Sequence, residues 1–144
     1  MLMLAGISLL CSFLILPSKS ETIKWIEECL KGRFNSAPGN TKLKKWELSL
    51  SDKGFFRIRK FYSGGKQEYY SFNVSRFNDL HYIGSVNGGE LLIKTVSDDV
   101  IVQTYNDPKG NVDSMSSKVV VPLLNVEPEL LDSLRNSFFS LKSE

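Results

Sequence analysis

"GFFRIRKFYSGGKQEYYSF", residues Gly54 to Phe72, decides how the middle of this chain folds. Four basic residues and seven aromatics share its nineteen positions. Such a mixture suits either a face for phosphates and rings or a β-hairpin with one wet side. Alternation selects the hairpin. Phe56, Ile58 and Tyr62 form an inward row in the first half, interrupted by Lys60, and Tyr70 and Phe72 repeat it in the second. Residues two apart share one face of a strand, so this pattern has the period of β-structure. "SGGKQ" between the halves is a turn, where glycine supplies positive φ. Left on the outer face are Arg57, Arg59, Phe61 and Tyr69, the candidate binding residues.

The same period runs outward from Lys42 to Leu123. Before the hairpin, "WELSL" sets Trp46, Leu48 and Leu50 against Glu47 and Ser49. Beyond it, Val74 extends the second strand, and Leu80–Ser85, Leu91–Val96 and Val100–Tyr105 read as three further short strands. "NDPKGNVDSMS" reads as the longest polar loop, and "KVVVPLL" after it as a seventh strand. Turn signals at this spacing predict a seven-stranded antiparallel meander, curled into a barrel or folded as a two-sheet roll.

Helices flank the strands. In residues 21–34 Ile23, Ile26, Leu30 and Phe34 recur at helical spacing, Trp25 and Cys29 broaden the stripe, and Gly32 loosens the end. Residues 127–142 form the closing helix: Pro128 suits its first turn, and Leu131, Leu134, Phe138 and Leu141 give it an apolar stripe. The fold class is therefore α+β, with one domain over residues 21–144.

Residues 1–20, "MLMLAGISLLCSFLILPSKS", differ in kind. No charged side chain occurs from Met1 to Leu16, and Pro17 precedes Ser18-Lys19-Ser20. An apolar run with small residues at the minus-three and minus-one positions reads as a signal peptide, cleaved before Glu21. It falls short of the roughly 20 residues of a membrane-spanning helix, so no stable span is expected after cleavage. Leu10 precedes Cys11 and the apolar run continues past it, which argues against lipid anchoring there. The expectation is export to a periplasm or the cell exterior. With residues 1–20 removed, Cys29 is the one remaining cysteine and has no partner for a disulfide.

Reactive constellations are missing. His81 is the sole histidine and sits in a strand pattern, which excludes histidine clusters for metals. No G-x-S-x-G accompanies it, and "SGGKQ" matches neither a P-loop nor a dinucleotide fingerprint. Asp98-Asp99 and the Asp107/Asp113 pair fall in turns and lack calcium-loop spacing. Asn73-Val74-Ser75 matches a glycosylation acceptor but lies in strand pattern, and Asp113-Ser114-Met115 is a similarly short match to an acceptor of bacterial O-glycosylation. No catalytic residue, metal ligand or cofactor is expected. A formal net charge of +2 gives no overall field for nucleic acid.

Seven antiparallel strands followed by one amphipathic helix resembles the pleckstrin-homology-like barrel over Lys42 to Leu141. The resemblance rests on element order. The closing helix lacks the tryptophan usual in that family, and the N-terminal helix is an addition to it. It implies binding rather than a reaction, and Lys53, Arg57 and Arg59 match the spacing its phosphoinositide binders use. Small exported bacterial proteins are similar in layout. Periplasmic lysozyme inhibitors carry a Ser-Gly-x-x-Tyr loop; "YSGGKQEYY" is similar at Ser63-Gly64, but Gln67 stands at the tyrosine position.

The leading expectation is a non-enzymatic exported binding domain whose partner is another protein or an envelope component. The alternatives are an inhibitor of a cell-wall-degrading enzyme such as lysozyme, and a carrier of a small apolar ligand or lipid headgroup. Inward Trp46, Phe56, Tyr70 and Phe72 predict a filled interior.

Overall fold

A helix start leaves its first amides without partners, and here Ser18 supplies one. Its side chain accepts a hydrogen bond from the Glu21 N–H at 3.2 Å, opening helix α1 over Lys19–Arg33, two residues ahead of the expected start. The computed structural model describes residues 16–143. Most of the expected signal peptide lies outside them; the expected cleavage point, between Ser20 and Glu21, falls within the first turn of α1. Among the described residues no helix is long and apolar enough to cross a membrane.

Among the described residues eight antiparallel strands follow, not seven. They are β1 (Lys45–Leu50), β2 (Phe55–Phe61), β3 (Gln67–Asn73), β4 (Phe77–Gly84), β5 (Gly88–Thr95), β6 (Val100–Tyr105), β7 (Asp113–Ser116) and β8 (Lys118–Leu124). Strand β7 comes from the segment expected to be loop: Asp113–Ser116 has almost no apolar content, and its backbone pairs with β6 from Val100↔Ser116 to Gln103↔Asp113. Helix α2 (Pro128–Lys142) follows β8, with Pro128 in its first turn.

The strands make two sheets, ordered β1-β2-β3-β6-β7 and β4-β5-β8, and among the described residues no closed barrel. A simple meander fails at three places. A 3₁₀ turn over Val74–Arg76 carries the chain from β3 into the second sheet, the β5–β6 turn returns it, and Ser117 separates β7 from β8. Strand β3 therefore pairs with β6 rather than β4. Thr95 fastens one crossing point: its N–H donates to the Ser117 carbonyl at 2.9 Å, and its hydroxyl donates to the Ser97 carbonyl at 2.6 Å. The glycosylation-like triplet lies at another: the Asn73 side chain accepts from the Ser75 N–H at 3.0 Å, so the triplet leaves the strand at Val74.

The core lies between the sheets and both helices. Phe56 and Phe72 approach at 5.2 Å between centroids, and Phe77 stacks on Phe138 of α2 at 4.9 Å. Helix α2 packs on β4, the 3₁₀ turn and α1. Helix α1 is no appendage. It contacts β1 of one sheet and β8 of the other, so it spans the seam their edges leave open. Its Ile26 and Leu30 are fully buried; Phe34, just past its end, bridges to Leu123 and stacks on Trp46 at 4.2 Å. Trp25, expected to widen the buried stripe, is instead 39% exposed.

Candidate functional site

The five-stranded sheet has two faces of different character. On the inner face Leu48, Leu50, Phe56, Ile58 and Phe72 are buried, as alternation predicts, and Tyr62 and Tyr70 are partly buried. All four candidate residues lie on the outer face. The cross-strand register sets Glu47, Arg59, Tyr69, Gln103 and Asp113 in one row, and Ser49, Arg57, Ser71, Ile101 and Met115 in the next. Lys45, Phe61, Gln67 and Tyr105 form a third row.

Arginine packing distinguishes this face. The guanidinium of Arg59 lies 5.2 Å from the Tyr69 ring centroid and that of Arg57 5.2 Å from Phe55, within cation–π range. Lys45 approaches Phe61 similarly, at 5.3 Å. The chain has five arginines. Arg33 bonds the Asn125 carbonyl, Arg76 pairs with Asp99, and Arg135 pairs with Asp79. Arg57 and Arg59 have no hydrogen-bond or carboxylate partner among the described residues, so their planar donor forks remain available. With Glu47, Ser49 and Tyr69 they line a shallow depression of about 180 Å³. Phe55, Ile101, Tyr105 and Met115 add exposed apolar surface around it.

A second cluster occupies the inner face where the core runs out. Tyr62 donates its phenolic hydrogen to Glu68 Oε1, and Tyr70 donates to Oε2 at 3.1 Å. Burial and these bonds to a carboxylate push both phenols well above the usual tyrosine range. Lys66 lies 4.0 Å from Glu68 and 3.6 Å from Asp107. Lys60 sits over the Tyr70 ring at 5.5 Å, and burial pulls its ammonium below the usual lysine range against the opposing influence of Glu68 and Glu90. The signal for this cluster was visible in sequence as the Lys60 interruption of an apolar row; Glu68 faces it only once the hairpin register is known.

His81 is exposed on β4. The turn acids serve the backbone: Asp99 accepts from the Ser97 N–H at 2.9 Å and Asp107 from the Lys109 N–H at 3.0 Å. The chain matches no protein-family model, no curated protein and no solved structure.

Proposed function

We propose that this protein is a non-enzymatic binding domain that works outside the cytoplasm and engages its partner with the outer face of the five-stranded sheet. The observation that carries this reading is the unequal use of arginine: three are spent on internal bonds, while Arg57 and Arg59 are held over aromatic rings with their donors free. A stacked guanidinium loses little further freedom on binding and can take a carboxylate or phosphate bidentately. Ring surface from Phe55, Phe61 and Tyr69 beside it favours a partner with both acidic groups and apolar surface. A protein or an acidic envelope component has that chemistry. The expectation of export rests on residues 1–20.

A pull-down from the native envelope, comparing the wild-type protein with the Arg57→Ala/Arg59→Ala double variant, tests the reading. A partner captured by wild type and lost in the variant supports it. Equal capture by both moves the binding face elsewhere.

A further inference from the structure

The inner face of the five-stranded sheet ends in a groove on the side away from Arg57 and Arg59. Lys60, Tyr70, Val102, Ser114, Ser116, Lys118 and Val120 line about 310 Å³ of open space, at the lower end of the roughly 300–1,000 Å³ of small-molecule sites. Four strands of one sheet and β8 of the other contribute, so the groove exists only where the two sheets meet. Its polar groups are unevenly spent. Ser116 Oγ donates to the Lys118 carbonyl at 3.2 Å, and the Tyr70 hydroxyl is committed to Glu68. The Lys60 and Lys118 ammoniums form no ion pair among the described residues, and the Ser114 hydroxyl makes no hydrogen bond there. Val102 and Val120 supply apolar wall.

We propose that this groove is a binding site for a small organic carboxylate. Its head lies between Lys60, Lys118 and Ser114, and its hydrocarbon body lies on Val102, Val120 and the Tyr70 ring. Lys60 is the central contact. Glu68, which the register places opposite it, is occupied by two phenols and Lys66. A half-buried ammonium without a close counter-ion gains more from an incoming carboxylate than a solvated one does. The apolar wall of Val102, Val120 and the Tyr70 ring favours a carboxylate with a hydrocarbon body over inorganic phosphate.

Sodium hexanoate is the probe, titrated into the full chain at constant ionic strength while backbone amide shifts are followed by NMR. Saturable shifts at Ser114, Ser116 and Lys118 are expected, with hexylammonium producing none. Lys60→Met should weaken hexanoate binding about tenfold or more, the effect of losing one charge-assisted hydrogen bond. Should Lys60→Met fail to fold, Ser114→Ala/Lys118→Ala, at two exposed positions, should weaken binding in the same direction. Non-saturating shifts, an equal response to hexylammonium or inorganic phosphate, or unchanged affinity in the folded variants would overturn the assignment.

Discussion

Lys60 and Glu68 stand directly opposite each other across β2 and β3, and they form no ion pair. The reason is competition. Both carboxylate oxygens of Glu68 accept phenolic hydrogens, from Tyr62 and Tyr70, and Lys66 lies 4.0 Å from Oε2. Lys60 is left over the Tyr70 ring at the margin of the core, where desolvation rather than pairing governs its charge.

Glu68→Gln should bring the Tyr62 and Tyr70 phenols down, since the carboxylate is among the causes that raise both. The folded pKa of each phenol exceeds its unfolded value of 10.0, so their contribution to stability is complete below that pH and is lost as pH rises through the folded values. Phenolate absorbance during an alkaline titration checks this. Tyr62, Tyr70 and Tyr82 are all raised in wild type, and the variant should lower Tyr62 and Tyr70 but not Tyr82, which burial alone raises; an unchanged titration would remove Glu68 from the account.

Lys60→Met should leave stability unchanged or raise it by up to about 1 kcal/mol at neutral pH, because it removes a half-buried charge and keeps an unbranched side chain. The folded pKa of Lys60 lies below the unfolded 10.5, so the wild type carries this burden below the folded pKa and sheds it as pH rises towards the unfolded one. The variant's advantage should shrink accordingly on going from neutral to about pH 10, measured by urea midpoints.

Arg57→Ala and Arg59→Ala should each cost no more than about 1 kcal/mol, the worth of one exposed cation–π contact, since neither side chain has a hydrogen-bond or carboxylate partner among the described residues. Denaturant unfolding is the check. A collapse of either variant would place these side chains in the core, against the register that sets them on the outer face.

Phe138→Ala should cost about 3–5 kcal/mol, the range for truncating a fully buried aromatic. Its ring stacks on Phe77 and anchors α2 to β4, so the same loss is expected from Phe77→Ala. The double variant should lose less than the sum, because the two rings share one contact.

Two glycines should respond oppositely to alanine. Gly32→Ala lies in α1 with nothing within 4 Å of the added Cβ, and should stabilise by about 0.5–1 kcal/mol. At Gly89 the same atom would fall 2.4 Å from the Ile83 carbonyl oxygen, so Gly89→Ala should destabilise the β4–β5 hairpin. Thermal unfolding of the two variants side by side would reveal the difference in sign.

Local structure was legible in the residue pattern. Alternation assigned Phe56, Ile58 and Phe72 inward and Arg57 and Arg59 outward, because a strand's side chains point to opposite faces whatever it pairs with. Helical spacing placed Ile26, Leu30, Leu134 and Phe138 on buried stripes for the equivalent reason. The partnerships between segments were set by long-range packing. Strand β7 has little apolar content of its own and exists through backbone pairing to β6; α1, which family resemblance set aside as an addition, is needed because β1 and β8 leave a seam between two sheets. The groove at Lys60 belongs to the same class: an interrupted apolar row marks an exception, but residues from β2, β3, β6, β7 and β8 converge there only through register and sheet packing, which act between segments far apart in the chain.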